Sequence, residues 1–224
     1  AATYSSAIDI QDAPGKIFTE EVWNRTSTLT DAPYHLSKTM AEQKAWVMAG
    51  SQTQWKLVTI NPGFVMGPGV KYHESSESYT FMVKLGGGEF SSGVPHISIP
   101  VVDVRDVAAA HLAAAYSPDA TGRHILCATS TSILDMGKAL AKKYPPPKYP
   151  VGCKSLPIPK LILWLAAPYV SLSRDYVSKN VGLKMNFDNS KSRNELGIDY
   201  YPMETTLQEM YQTLLDLEVV KPKA

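Results

Sequence analysis

The sequence has little of what several classes of protein require. It contains two cysteines, Cys127 and Cys153, which are too few and too far apart for a disulfide framework or a zinc knuckle. The formal net charge of +1 provides no basic field that would attract nucleic acid. No stretch approaches the ~20 apolar residues of a membrane span, and no signal peptide is visible. We therefore expect a cytoplasmic protein without a membrane span, a metal site or a nucleic-acid partner.

What is present favours a globular α/β protein. Apolar residues make up 44% of the 224 positions and charged residues 19%, which is enough for a sizeable core. Strand-like and helical segments alternate over residues 1–144, which predicts a parallel sheet, and the region after residue 145 is predicted to be mostly helical. Strands are predicted at 55–60, 96–104 and 123–128, and helices at 34–49, 79–88, 105–117, 132–145 and 203–220.

The helix predicted over residues 34–49 has apolar residues at a helical spacing, which predicts one buried face. Gly50 is a suitable stop for this helix. The residues expected to face the core are Leu36, Met40, Ala41, Ala45, Val47 and Met48.

Several charged residues have a structural interpretation that is favoured over a catalytic one. Asp103, Arg105 and Asp106 resemble an active-site cluster, but they stand where a helix begins and are expected to cap and anchor it. Glu20 and Glu21 are expected to form the solvated edge of a loop. No histidine has metal-ligand spacing with a partner, so no metal site is predicted.

The stretch "YHLSK" places a phenol and an ammonium group four residues apart, at Tyr34 and Lys38. On a helix these side chains lie on the same face. A tyrosine with its ordinary pKa of about 10 transfers protons poorly at neutral pH. A nearby ammonium favours the phenolate and brings that pKa toward the working range. The spacing alone also occurs by chance in many helices, so it indicates catalysis only with further residues.

Those further residues lie before and after the helix. Ser5 and Ser6 end a strand-like run at the start of the sequence, where a hydroxyl group could hold a substrate oxygen for Tyr34. The stretch "NPGFVMGPG" at 61–69 follows the strand predicted at 55–60. Parallel sheets bind ligands at the carboxyl ends of their strands, so these residues are expected to converge on one site.

Six stretches together carry a resemblance to a known family: "YSSA", "FTEEVWN", "YHLSKTMAEQKAW", "LVTINPGFVMGPG", "IPVVDVRDVAAAHLAA" and "DNSKSRNELGI". In this order and at this spacing the chain resembles the extended short-chain dehydrogenases/reductases, within the wider group of NAD-dependent epimerases/dehydratases. The resemblance is closest to the dihydroflavonol-4-reductase-like branch of aldehyde and ketone reductases.

The resemblance implies an α/β fold: the C-terminal part of a Rossmann-type parallel sheet with a smaller, mostly helical substrate-binding lobe. Residues 1–66 and 97–144 would be the remaining part of the dinucleotide-binding domain. Residues 67–96 and 145–224 would form the substrate-binding lobe.

The resemblance also implies catalytic roles. Tyr34 would be the general acid/base, and Lys38 would lower its pKa and hydrogen-bond the nicotinamide ribose. Of the two serines, Ser6 is chosen as the catalytic one, because the family's serine typically precedes a small residue, here Ala7.

The resemblance implies NADP as the coenzyme. NAD stays open as the alternative, because the residues that set the choice between the two are not in the sequence. Ser78, or Ser76 beside it, would add a polar contact to the coenzyme. The residues that would lie against the nicotinamide ring are Pro62, Gly63, Phe64 and Val65.

The sequence departs from the family in one large respect. The family begins with a strand, a Gly-x-x-Gly-x-x-Gly turn and a helix that holds the pyrophosphate, and no such motif exists here. The glycines at 86–88 end a predicted helix and are interpreted as a turn. We therefore expect a fragment of a longer enzyme that is inactive by itself. Its partners would be a small-molecule carbonyl substrate and either the missing N-terminal half or a homodimer partner.

The function implied is NAD(P)H-dependent reduction of a ketone or aldehyde to an alcohol. His35 stands where sugar-nucleotide epimerases usually carry glycine, which favours a reductase. The alternatives left open are a nucleotide-sugar epimerase or dehydratase, a hydroxysteroid-type dehydrogenase, and a non-catalytic cofactor-sensing scaffold. The identity of the substrate does not follow from the sequence.

Overall fold

Strands and helices alternate through most of the molecule, as the sequence predicts. The computed structural model describes residues 7–151, 157–169 and 172–222. The strands are β1 (Val58–Pro62), β2 (Phe64–Met66), β3 (Val94–Pro95), β4 (Ile99–Asp103), β5 (Gly122–Leu126), β6 (Thr129–Thr131) and β7 (Pro157–Ile158). The helices are α1 (Pro33–Gly50), α2 (Glu77–Gly87), α3 (Val104–Tyr116), α4 (Ile133–Ala141), α5 (Lys160–Ala166), α6 (Arg174–Asn180), α7 (Ser190–Leu196) and α8 (Met203–Asp216).

The strands pair mainly in parallel. β1 runs parallel to β5, β2 parallel to β4, and β3 parallel to β7, whereas β6 lies antiparallel to β4. At Gly63 the chain passes from pairing with β5 to pairing with β4, and the Gly63 amide donates to the Leu126 carbonyl at 2.8 Å. A Cβ atom at Gly63 would lie 2.5 Å from the Pro100 carbonyl oxygen, so only glycine fits this crossing.

The largest core lies between β2, β4 and three helices, α2, α4 and α8. It excludes solvent because the apolar faces of these helices meet. Gly86 and Gly87 are the last residues of α2, and Gly88 after them ends the helix with φ of 80°, so only Gly88 takes the turn conformation predicted for the three glycines. The large side chains of this core that are almost fully buried are Met66, Met82, Leu85, Met136, Leu140, Leu207, Met210 and Tyr211.

A second apolar cluster joins α3, α7 and the strands β4 and β5. Val102, Ala110 and Leu126 pack there with Leu196 and Ile198. Residues from after position 145 therefore contact the strands formed by the first part of the sequence. The division into a dinucleotide-binding domain and a substrate-binding lobe stays a prediction.

Helix α1 has the predicted bounds within one residue at each end. The buried face predicted for it is wrong, because Met40 is 59% exposed and Val47 is 65% exposed. The buried residues of α1 are Thr39 and Glu42. The side of α1 that faces the sheet is therefore polar.

The segment before α1 is joined to the region before α7. The Ala7 amide donates to Oδ1 of Asn180 at 3.2 Å. Phe18 forms an isolated parallel bridge with Phe187, and its ring lies 5.1 Å from that of Phe187. Contacts between residues so distant in sequence close a long loop of chain. Within the three described ranges, no helix has both the length and the apolar character needed to cross a bilayer.

Candidate active site

Tyr34 and Lys38 lie in the first turns of α1, and the structure brings them together. Pro33 is the first residue of α1, where its fixed φ suits a helix and its missing amide hydrogen is not needed. The Tyr34 side chain is 63% exposed. The Lys38 Nζ atom lies 5.5 Å from the centre of the Tyr34 ring, within the range of a cation–π contact. The predicted proximity is confirmed, whereas the proton-transfer role stays a prediction.

The loop that leads into α1 is fixed by an ion pair. Lys179 on α6 contacts Asp31 at 2.7 Å and Asp175 at 2.6 Å. Hydrogen bonds to Asp175 and Asp31 raise the pKa of Lys179, so the lysine stays charged at neutral pH. Ala32, between Asp31 and the helix, has left-handed backbone angles with φ of 57°. The direction in which α1 leaves this loop is therefore anchored to α6.

His35 lies next to the Tyr34 ring. The two ring centres are 5.7 Å apart and the planes are nearly perpendicular, as expected for an edge-to-face contact. Burial lowers the pKa of His35 from its ordinary value, so the imidazole is neutral at pH 7. A neutral ring adds no second positive charge beside Lys38.

Ser6, the predicted catalytic serine, lies outside the described residues. The next residue, Ala7, is described and buried, and its amide bonds to Asn180. The role of the Ser6 hydroxyl stays a prediction.

The stretch predicted to contact nicotinamide forms the end of β1, the crossing and the start of β2. Pro62, Gly63, Phe64 and Val65 are all partly exposed. The Phe64 ring packs edge-to-face against Phe81 on α2, with 5.5 Å between the ring centres. These residues are ordered by the sheet and accessible in part, which suits a surface for a flat ligand.

The two candidate serines after this stretch have different contacts. The Ser78 hydroxyl donates to the Val65 carbonyl at 2.6 Å. The Ser76 side chain caps α2 by accepting from the Tyr79 amide. Ser78 therefore contacts the nicotinamide stretch itself, while a direct bond from Ser78 to the coenzyme stays a prediction.

Sequence reasoning missed a buried charge on α1. The Glu42 side chain is 8% exposed and pairs with Arg123 on β5, whose side chain is 7% exposed, at 2.8 Å. The same carboxylate accepts from Thr59 at 2.9 Å, from Trp46 at 3.3 Å and from Asn61 at 3.4 Å. The available sequence signal was spacing, because Glu42 follows Lys38 by four residues and shares its face of the helix.

Arg123 extends this network to the loop before α1. Its Nη1 donates to the carbonyls of Glu20 at 2.6 Å and Val22 at 2.8 Å, and its guanidinium stacks 3.8 Å from the Trp23 ring. The Glu20 carboxylate accepts from the Ile125 amide at 3.0 Å. The expectation that Glu20 is solvated is therefore wrong, since its carboxylate is held by a strand amide; Glu21 is exposed, as expected.

The Asp103 cluster has the structural role predicted for it. Asp103 caps α3 by accepting from the Arg105 amide, and it also accepts from Thr206 on α8 at 2.8 Å. Burial alone would raise the pKa of Asp103, but hydrogen bonds from Arg105 and Thr206 hold it below its ordinary value. Asp106 accepts from the Tyr201 amide at 3.1 Å, and burial raises its pKa.

No metal centre emerges from the geometry. In the parts of the chain that the structure describes, no three His, Cys, Asp or Glu side chains are placed to hold an ion. Burial raises the pKa of the Cys127 thiol to about 11, so it is protonated and unreactive at neutral pH.

Comparison with known sequences finds relatives among reductases. The chain is 29% identical over 208 residues to an anthocyanidin reductase ((2S)-flavan-3-ol-forming) of Vitis vinifera, covering 88% of this chain and 58% of that protein. It is 29% identical over 181 residues to a cinnamoyl-CoA reductase of Medicago truncatula, covering 81% of this chain and 47% of that protein. The chain thus spans about half the length of these curated relatives. A scan against protein-family models finds no match.

Solved structures extend the comparison. Gre2 from Candida albicans superposes with a TM-score of 0.73 and 25% identity, covering 97% of this chain and 63% of that chain. Gre2 from Candida albicans in complex with NADPH has a TM-score of 0.67 and 26% identity, covering 89% of this chain and 57% of that chain. Vestitone reductase from alfalfa (Medicago sativa) shares the fold, with a TM-score of 0.67 and 21% identity over 96% of this chain and 63% of that chain.

The predicted fold class is confirmed: the chain is α/β and corresponds to part of a Rossmann-type reductase with a parallel sheet. The motif order seen in the sequence, the contact between Tyr34 and Lys38, and the reductase relatives agree with one another. The chain is similar in sequence and fold to reductases, and these similarities agree with its resemblance to the extended short-chain dehydrogenases/reductases and their dihydroflavonol-reductase-like branch.

Proposed function

We propose that the complete protein reduces a ketone or aldehyde to an alcohol with NADPH, and that this chain supplies its acid/base residues. The observation that carries the proposal is the contact between Tyr34 and Lys38 at the start of α1, in a chain that resembles this family. Tyr34 is exposed, so its hydroxyl is accessible to a bound carbonyl compound. A reductase needs such an acid because the oxygen of the reduced carbonyl must receive a proton.

The coenzyme proposed is NADPH, with NADH as the alternative, and two parts of the chain fit it. Lys38 is exposed and forms no ion pair within the described residues, so its ammonium can bind ribose hydroxyls. The partly exposed residues Pro62 to Val65 would lie against the nicotinamide, and Ser78 would hold them in place. When bound, the nicotinamide supplies the hydride. Gre2 in complex with NADPH supports the choice of coenzyme, at 26% identity.

Tyr34 would donate its phenolic proton to the substrate oxygen as negative charge develops there. The ammonium of Lys38 beside the ring stabilises the phenolate that remains and so favours the transfer. The phenolate would then regain a proton from water, since Tyr34 is open to solvent. Ser6 would donate a hydrogen bond to the same substrate oxygen and orient it.

The remaining parts of the proposal concern substrate and location. Residues 67–96 and 145–224 would shape the pocket for a small-molecule carbonyl compound. Within this region the rings of Phe81 and Phe90 pack 5.7 Å apart beside Phe64, which supports a pocket with an apolar wall. A cytoplasmic location, and association with an N-terminal half or a homodimer partner, belong to the same proposal.

The test is Tyr34→Phe in the complete protein, assayed with NADPH and a panel of aldehydes and ketones. We expect turnover to fall by about 10²-fold or more, because the general acid is lost. Tyr116→Phe is the matched control, since Tyr116 is an exposed tyrosine on α3, and it should retain full activity. Unchanged turnover by Tyr34→Phe would overturn the proposal, and activity on nucleotide sugars alone would favour an epimerase or dehydratase.

A further inference from the structure

Helix α1 carries the proposed acid but is attached to the sheet by few side chains. Of its 18 residues, Thr39 and Glu42 are the ones buried. The Thr39 hydroxyl donates to the His35 carbonyl within α1 itself, so it makes no bond to the sheet. The apolar side chains of Met40 and Val47 face solvent. Glu42 is therefore the buried side chain that connects α1 to the strands.

The Glu42 carboxylate accepts hydrogen bonds from residues on two strands. Arg123 on β5 donates from Nε at 2.8 Å, Thr59 on β1 donates at 2.9 Å, and Asn61 on β1 donates at 3.4 Å. Hydrogen bonds to a charged, buried acceptor are directional and about twice as strong as neutral ones. Three donors at fixed positions on the sheet therefore define both the distance of α1 from the sheet and its rotation about its own axis.

The contacts of Glu42 join the two halves of the proposed site. Lys38 and Tyr34 precede Glu42 on α1 by about one and two helical turns, respectively, so a shift of the helix at Glu42 moves both of them. Asn61 directly precedes Pro62, where the nicotinamide stretch begins. A movement of the Glu42 carboxylate would shift Tyr34 and Lys38 relative to residues 62–65.

We propose that Glu42 is a positioning residue for Tyr34 and Lys38, and that its bonds to Arg123, Thr59 and Asn61 hold α1 in register with the nicotinamide stretch. This inference rests on the proposed function. The carboxylate is buried against the strands, so it acts through α1 rather than by touching the substrate. A displacement of reacting groups by about 1 Å can lower a rate by about 10²-fold, so small shifts of α1 are consequential.

The experiment compares Glu42→Gln and Glu42→Ala with wild type in the complete protein, using NADPH and an aldehyde. We expect kcat to fall about tenfold in E42Q and up to about 10²-fold in E42A, with a smaller change in KM. The pH profile of kcat should also shift, because the effect of Lys38 on the Tyr34 hydroxyl depends on their separation. Glu204→Gln is the control: Glu204 is a partly exposed glutamate on α8 that pairs with Lys142, and its variant should behave like wild type.

Hydrogen exchange followed by mass spectrometry separates positioning from general destabilisation. In E42Q the peptide covering α1 should exchange faster, while the peptide covering α8 keeps wild-type protection. If E42A does not fold, E42Q still provides both readouts. Unchanged kcat, pH profile and α1 exchange in E42Q would overturn the inference. It would also be overturned by a loss of activity that only follows the folded fraction, with α1 and α8 loosened equally.

Failure of the proposed function would be distinguishable from failure of this inference. A wild-type protein that reduces no carbonyl compound with either coenzyme contradicts the proposed function. The exchange comparison between E42Q and E204Q remains informative in that case. Faster exchange of α1 in E42Q alone supports the anchoring role of Glu42, and equal exchange in the two variants refutes it.

Discussion

Helices α1 and α8 are the two longest in the molecule as described, and they are held in opposite ways. α8 buries Leu207, Met210, Tyr211 and Leu214 in the largest core, whereas α1 leaves Met40, Val47 and Met48 exposed to solvent. Apolar burial stabilises α8 in proportion to area and without strong directionality. α1 depends instead on the carboxylate of Glu42, whose bonds specify a position. The helix with the proposed chemistry is thus the one located by directional bonds.

The largest predicted difference comes from the same substitution in the two helices. Met210→Ala on α8 should lower the free energy of unfolding by about 2–5 kcal/mol, because it opens a cavity in a packed core. Met40→Ala on α1 should change it by less than about 0.5 kcal/mol, because that side chain is exposed. Urea denaturation followed by circular dichroism measures both values. Equal losses for the two variants would mean that the outer face of α1 is covered in solution.

A smaller effect is expected from adding volume to the α8 core. The Gly86 position on α2 faces the Tyr211 ring so closely that an added Cβ would overlap ring atoms. Gly86→Ala should therefore cost about 1–3 kcal/mol, despite the better helix propensity of alanine. Gly50→Ala, at the exposed end of α1 with open space around it, is the matched control and should not destabilise. Thermal unfolding measures both variants. Equal stability of the two would contradict the conclusion that Gly86 is tightly packed and Gly50 is not.

Asp103, which caps α3 and binds Thr206 on α8, allows the contribution of a buried charge to stability to be measured. Asp103→Asn removes the charge that Arg105 and Thr206 bind and should cost about 1–3 kcal/mol at pH 7. Because the folded-state pKa of Asp103 is lowered, its stabilisation is present above the ordinary pKa of about 3.9 and is lost as pH falls through the folded value. The difference between wild type and variant should therefore shrink below about pH 4.

Asp106→Asn is the control for that measurement, with the opposite sign. Burial raises the pKa of Asp106, so its ionised form destabilises the folded state at neutral pH. An asparagine oxygen can still accept from the Tyr201 amide, so D106N should be as stable as wild type or more stable at pH 7. A pH series of denaturation curves distinguishes the two aspartates. Parallel behaviour of D103N and D106N would contradict this account.

The smallest effect on stability is expected at the proposed site itself. Lys38→Met removes an exposed cation from α1 and should change the free energy of unfolding by less than about 0.5 kcal/mol. Activity of the complete protein should nevertheless fall, because the phenolate of Tyr34 loses its neighbouring charge. Lys142→Met, at an exposed lysine directly after α4, should leave the activity intact. A destabilised but active K38M protein would reverse the proposed roles.

Local sequence patterns predicted the elements whose signals are local. The bounds of α1, the glycine end of α2 and the Asp103 cap of α3 follow from Pro33, Gly88 and an aspartate placed directly before a helix. These features depend on backbone preferences within one or two turns. The fold class followed from the alternation of strands and helices together with the motif order.

The patterns that failed depend on distant partners. The buried face of α1 was assigned to its apolar residues, but its sheet-facing side pairs with Thr59, Asn61 and Arg123, which lie 17, 19 and 81 positions from Glu42. The spacing of residues along α1 cannot reveal that the Glu42 carboxylate is neutralised by Arg123 on β5. Likewise, Glu20 looked solvated because the amide that it binds belongs to β5.

The ties between the segment before α1 and the region around α6 have a consequence for the order of folding. The bond from Ala7 to Asn180 spans 173 positions, and the ion pair of Asp31 with Lys179 spans 148. Contacts of such sequence separation form late, because the entropy of closing the loop must be lost before they stabilise anything. During synthesis, the loop that directs Tyr34 stays unanchored until residue 180 has left the ribosome. The surroundings of the residues proposed for catalysis are therefore completed well after those residues themselves have been made.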